Sequence, residues 1–160
     1  MENYIMMTLD SHDKAILSAL QKDSSISNLD LSKMIGLSPS ACLARTKNLK
    51  ELGVIKQFTT VIDEKKLGME TLAFILVNLS PLNRETANFF VEEINRLPQV
   101  LECYTVTGNR DYLLKIVAKD MQAYRDFVID SLMAIPGVNR VETSIVMSTE
   151  KRTLSLPIEQ

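Results

Sequence analysis

The chain has 160 residues, enough for one domain or two small ones. Its hydrophobic share of 46% and charged share of 24% are those of an ordinary globular protein. A net charge of −2 excludes a global basic field, so any attraction to nucleic acid must be local to one element.

The halves differ slightly. Residues 1–61 hold seven Lys/Arg against six Asp/Glu, and residues 62–160 hold eleven against fourteen. Should the chain bind a nucleic acid, a monomer would hold it weakly, and a dimer that doubles the contact is then expected. Cys42 and Cys103 are too few and too far apart for a metal motif or a disulfide framework, and fit a reducing cytoplasm. His12, the single histidine, reads as an exposed residue in a first helical turn rather than a metal ligand. No metal and no cofactor are expected. The opening MENYIMMTLD lacks the basic region and apolar run of a signal peptide, and no stretch is long and apolar enough to span a membrane. The expected location is cytoplasmic, on the nucleoid.

Residues 1–8 look loose. Residues 9–22 predict a helix capped by Asp10, with Asp13 in its first turn and Leu9, Ala15, Ile16, Leu17 and Leu20 on its buried side. Residues 22–25 are a polar turn. Residues 27–52 then predict two short helices joined at Gly36-Leu37-Ser38. Ser27 caps the first, with Asp30 in its third position, and Leu31, Met34 and Ile35 form its apolar stripe. Gly36 can take the positive φ that closes a helix. Ser38 caps the next, and Pro39 suits a first helical position, where no N–H is needed. In that second helix Cys42, Thr46, Leu49 and Leu52 share one face.

Ser40, Ala41, Ala44, Lys47 and Lys50 fall elsewhere, with Arg45 at the edge. Small residues near the helix start allow close approach to base edges, and basic residues further along suit phosphates. The candidate DNA-binding residues are Ser38, Ser40, Ala41, Arg45, Lys47, Asn48 and Lys50. The pattern is that of a helix-turn-helix, which places one helix in the DNA major groove. The plain alternative is an αα-hairpin with a solvated basic face. Gly53-Val54-Ile55, where a helix stops and an extended segment begins, favours the helix-turn-helix.

Residues 54–61, VIKQFTTV, have strand-like composition, and residues 62–70 read as a hinge. TLAFILVNL, from Thr71, is a strand. A helix over 84–97 turns Ala87, Phe90, Val91 and Ile94 inward and stops at Pro98. A half-buried strand over 100–107, a hairpin turn at Gly108-Asn109-Arg110-Asp111 and a return strand over 112–118 follow. Residues 120–135 predict a helix that Pro136-Gly137 stops, and 138–147 a last strand. Residues 148–160 form a tail in which LSLPI offers a further short strand.

The β-α-β-β-α-β order predicts a ferredoxin-like unit, an antiparallel sheet with both helices on one face. Its other face is bare and apolar in a monomer, so burial against a second copy is expected. The expected class is α+β. A three-helix winged helix-turn-helix domain occupies 1–61, a hinge 62–70 and a sensing and oligomerisation domain 71–160.

Four passages carry a family resemblance: LDSHDKAILSALQKDSSISNLDLSKMIGLSPSACLARTKNLKELGVI, VTGNRDYLLKI, AYRDF and IPGVNRVETSIVM. They cover nearly the whole chain, in order. The chain resembles the Lrp/AsnC (feast/famine) transcription regulators, its leucine-responsive branch above all. The resemblance implies a winged DNA-binding domain, a βαββαβ effector domain, dimers that assemble to octamers, and free amino acids as effectors. It places the effector between subunits, near the hairpin after the second effector-domain strand.

A free amino acid is a zwitterion. A Gly-containing turn can aim backbone amides at its carboxylate, while Asp111 and nearby carbonyls can accept from its ammonium. Candidate effector residues are Tyr104, Thr107, Gly108, Asn109, Arg110, Asp111 and Tyr112, with Met121, Ile145 and Val146 as apolar walls from a neighbouring subunit. The plain alternative is a hairpin turn with a solvated charge pair. The family turn commonly reads Gly-Asp-x-Asp-Tyr, whereas here Asn109 and Arg110 replace one acid with a cation. Arg110 either favours a more acidic ligand or points to solvent.

The expected protein is a regulator of transcription that binds double-stranded DNA and is modulated by a leucine-like or methionine-like amino acid. The alternative is an architectural protein that wraps DNA without effector control. An enzyme is not expected: the ferredoxin-like unit has no histidine, acid pair or nucleophile–base pair spaced to converge.

Overall fold

In the computed structural model, which describes residues 8–158, the chain forms two compact units. One comprises residues 8–61 with 151–158, the other residues 62–150.

The first unit has three helices: α1, Ser11–Lys22; α2, Asn28–Ile35; and α3, Pro39–Glu51. Each start carries a side-chain cap, from Asp10, Ser27 and Ser38 respectively. Asp10 and Asp13 form a reciprocal capping box. Gly36 sits at φ 73°, the left-handed conformation that ends α2 and lets the chain turn into α3. Ile16, Leu31, Cys42 and Leu49 form the buried core, with Leu17, Leu20, Ile35 and Leu37 packed around it.

Two expected core residues lie outside it: Met34 is 66% exposed and Leu52 is 52% exposed. An eight-residue helix presents one narrow face, and Leu31 and Ile35, four apart, take it. Leu52 is the C-cap of α3, where the chain has already turned. His12 is half-buried rather than exposed.

The strand expected over 54–61 does not form. Ile55 N–H bonds the Leu49 carbonyl, and the segment beyond has no ladder partner. β-rich composition makes a strand only where another edge offers its backbone groups, and the neighbouring elements of this unit are helices. The tail also departs from expectation. Residues 151–158 group with the helical unit, not with the sheet that precedes them. Gln21 holds them there: its Oε1 accepts from Leu156 N–H at 2.6 Å and its Nε2 donates to the Leu156 carbonyl at 3.3 Å. The side-chain amide thus supplies the donor and acceptor that a neighbouring strand would have supplied.

The second unit has strands β1 (Thr71–Leu79), β2 (Val100–Thr105), β3 (Tyr112–Ala118) and β4 (Val138–Ile145). They form an antiparallel sheet in the order β2-β3-β1-β4. Helix α4 spans Arg84–Ile94, and α5 spans Met121–Asp126 before widening into a π-helical stretch, Phe127–Leu132. Ala73, Ile75, Val77, Leu114 and Ile116 point to one face, where Phe90 and Ile94 of α4 and Phe127 and Leu132 cover them. Both helices therefore lie on one face, as the element order predicts. Residues 62–70 contain a short 3-10 turn, Lys65–Leu67.

Candidate nucleic-acid interface and effector site

The DNA-facing candidates follow from how α3 is seated. Cys42 and Leu49 turn its inner face into the core. Asn28 Nδ2 donates to the Pro39 carbonyl at 2.8 Å and pins its first turn to α2. Ser38 Oγ is occupied as the cap, accepting from Ala41 N–H at 3.2 Å. Ser40, Lys47, Asn48 and Lys50 are exposed, and Ala41 is half-buried. Lys47 Nζ lies 3.6 Å from Glu51, a solvated pair, and Lys50 Nζ lies 5.9 Å from the centre of the Phe58 ring.

Leu43 was not among the expected contacts, yet it is 58% exposed. It lies three residues after Ser40 and four before Lys47, on the outward stripe that both occupy. That spacing was available in the sequence, but leucine reads by default as a core residue.

Arg45 is placed otherwise than its neighbours. Its Nη1 donates to Asp10 Oδ2 at 2.7 Å and to Asp13 Oδ1 at 2.8 Å, both at the start of α1. These bonds push the Arg45 pKa up, Asp13 contributing first. Asp10 is held below the usual carboxylate range, chiefly by the Asp13 backbone N–H and then by Arg45.

In the sheet unit the hairpin between β2 and β3 holds Thr107, Gly108, Asn109, Arg110 and Asp111. Thr107, Gly108 and Asn109 are exposed, and Gly108 has φ 108°, a conformation open to glycine. Asp111 Oδ2 accepts from Leu79 N–H at 2.8 Å, and Asp111 N–H donates to the Val77 carbonyl at 3.0 Å. The hairpin is thus tied to the end of β1. Tyr104 OH donates to Glu102 at 2.7 Å, which raises the Tyr104 pKa. Tyr112 points into the core, its ring centre 4.7 Å from that of Phe90. Its side chain therefore serves packing.

Arg110 does not point to solvent. Its side chain is 14% exposed and pairs with Glu142 of β4, while Nη1 donates to the Asn109 carbonyl at 3.0 Å. Arg110 draws the Glu142 pKa below the usual range. Met121, Ile145 and Val146 do not join the hairpin within one protomer. Ile145 pairs with Ala73 and Tyr112 with Val77, four residues apart on β1, a separation of roughly 13 Å. Met121 follows the β3 end that pairs with Thr71, so it belongs to that far end too.

Among the described residues no three His, Cys, Asp or Glu side chains gather to hold a metal. Burial raises the pKa of both Cys42 and Cys103, so neither is a ready thiolate. Among the described residues no helix is long and apolar enough to cross a membrane.

These features define a two-part chain, a capped three-helix unit followed by a four-stranded sheet with its helices on one face. Residues 9–56 match the model of a winged helix-turn-helix DNA-binding domain, and residues 72–156 that of the Lrp/AsnC ligand binding domain. The chain belongs to the Lrp/AsnC family of transcriptional regulators, which is not a family of enzymes. It is 69% identical to the transcriptional regulator AzlB of Bacillus subtilis over 95% of this chain and 97% of that one. It is 38% identical to the leucine-responsive regulatory protein of Escherichia coli over 94% and 92% of the two chains. Among solved structures, a transcriptional regulator of Neisseria meningitidis in complex with L-Met superposes with a TM-score of 0.90. That protein is 35% identical, and the match covers 94% of this chain and 97% of that one.

Proposed function

We propose that this regulator reads DNA with the outward stripe of α3 and that a free amino acid, leucine-like or methionine-like, biases its assembly or its DNA contact. Ser40, Leu43, Lys47, Asn48 and Lys50 form the reading surface, with Ser38 and Ala41 at its start. The observation that carries the reading is the exposure of this stripe on a helix whose opposite face seats Cys42 and Leu49 in the core. Leu43 suits a thymine methyl, and the two lysines suit phosphates.

The effector site is the hairpin at 107–111. Gly108 leaves backbone amides accessible to a carboxylate, and Asp111 has a second oxygen to offer an ammonium. The L-Met in the Neisseria relative supports a thioether side chain as the third element, and the leucine-responsive Escherichia coli relative supports a branched aliphatic one. Met121, Ile145 and Val146 can wall that side chain only from another copy, because they lie at the far end of their own sheet. Oligomerisation is therefore part of the site. The open sheet face carries Phe74, 37% exposed, beside half-buried Leu72, Leu76, Leu113 and Val117. It is the surface for a second copy, in a cytoplasmic homodimer able to assemble further.

The test is a thermal melt against each of the twenty amino acids, with particle sizing in parallel. A ligand that binds only the folded state raises its apparent stability. Leucine or methionine should raise the melting temperature and shift the size distribution. Flat melts with all twenty sink the sensing reading.

A further inference from the structure

Arg45 lies in the middle of α3, yet its guanidinium turns back to α1 and grips Asp10 and Asp13 at 2.7 and 2.8 Å. Those two carboxylates are the two members of the α1 capping box. They do two jobs at once, accepting backbone N–H groups of the first turn and the charged donor from α3. Asp13 is 17% exposed and Arg45 36% exposed, so the clasp is half-sheltered and only partly screened.

What the clasp holds follows from the rest of the α3 seat. Only Cys42 and Leu49 are fully buried along its thirteen residues, and the Asn28 bond to the Pro39 carbonyl holds only its first residue. Apolar contacts set how closely a helix packs, but they are non-directional and restrain its rotation about its own axis weakly. Such a rotation matters for reading. Turning a helix by roughly 20° moves side-chain tips 5–6 Å from the axis by about 2 Å. A base-edge hydrogen bond fails over a smaller displacement. An ion pair that reaches out of the helix to a fixed point is directional and opposes that turn.

We propose that Arg45 is a positioning residue for sequence reading: through Asp10 and Asp13 it fixes the rotation of α3, and it makes no phosphate contact itself. The proposal rests on α3 being the reading helix. It differs from the sequence expectation, which set Arg45 beside Lys47 and Lys50 as a direct contact.

The test compares two duplexes of equal length, one selected from a random pool by the wild-type protein and one with its sequence scrambled. Binding is titrated over several salt concentrations for wild type, R45A, R45K, D13N and K50A, below the melting range of each variant. Asp13→Asn keeps the oxygen that caps the helix and removes one of the two charges that hold Arg45, the more sheltered one. Positioning predicts that D13N and R45A each lower the selected-to-scrambled affinity ratio about tenfold, the scale of one misread base pair. It also predicts an unchanged salt slope for R45A, and a ratio for R45K between those of wild type and R45A.

A phosphate contact predicts the opposite for D13N. Arg45, then held by Asp10 alone, would reach phosphate more readily and tighten both duplexes alike, and R45A would lower the salt slope by about 0.9. Either result overturns the proposal. So does an unchanged ratio in both D13N and R45A, which reduces the clasp to a stabilising ion pair. K50A guards the premise: if it alters neither slope nor affinity, α3 is not the reading helix and the proposal falls with that reading.

Discussion

The carboxylate of Asp111 accepts the backbone N–H of Leu79 at 2.8 Å, which ties the effector hairpin to the last residue of β1. One oxygen of the residue expected to meet the ligand is therefore already committed to the fold. Asp111→Ala leaves a buried N–H without its partner and should cost about 1–3 kcal/mol. Asp111→Asn keeps an oxygen for Leu79 and removes the charge. It should melt near wild type yet lose the stabilisation by leucine or methionine. Melts of both variants, with and without amino acid, separate the two roles.

Lys47 and Lys50 stand on the outward stripe of α3, one paired with Glu51 and the other over Phe58. Both partners are weak and exposed, so both ammonium groups are available to phosphates. Lys47→Ala and Lys50→Ala should each reduce the slope of log affinity against log salt by about 0.9, on any duplex sequence. Gel-shift titrations at four salt concentrations measure it.

Arg110 and Glu142 join the hairpin to β4, and Arg110 Nε is buried without a hydrogen-bond partner among the described residues. Glu142 titrates below its ordinary value in the folded state because Arg110 favours its charged form. Its contribution to stability is thus complete above the unfolded glutamate pKa and is lost as pH falls through the lowered folded value. Glu142→Gln should destabilise the protein at pH 7 and leave it no different from wild type at acid pH. Urea unfolding across pH 3–7 reads the convergence. Parallel curves at every pH remove the pair from the acid response.

Gly137 has φ 94°, and a Cβ placed there would collide with Thr86 Cγ2. Gly137→Ala should cost about 2–4 kcal/mol, combining left-handed strain with the clash. Thr86→Ser removes the colliding methyl and should restore only the clash part in the double variant. Chemical denaturation of the three variants gives the cycle.

Gln21 holds the tail through both atoms of its amide. Gln21→Ala should speed tryptic cleavage after Lys151 and Arg152 several-fold while leaving the core melt close to wild type. Mass spectrometry of timed digests would follow it.

Much of the architecture was legible because its causes are local. Asp10, Ser27 and Ser38 cap helices within their own next three residues, Gly36 turns the chain within one, and the β-α-β-β-α-β order needs only hydrophobic period and breakers. The outward stripe of α3 was legible for the same reason, apart from Leu43. The 54–61 segment misled because strand composition reports a preference and not a partner.

Sequence by itself determined the helix starts, the turn into α3, the order of elements along the chain and the place of the hairpin, since each depends on residues within a few positions of one another. Tertiary structure alone decided what the charged side chains do. Arg45 meets carboxylates 32 and 35 residues back, Arg110 meets Glu142 32 residues on, and Leu156 meets Gln21 135 residues away. A long cationic side chain can reach many acids from one backbone position. Only packing sets which acid stands within 3 Å, and so whether the cation is left for DNA or spent within the fold.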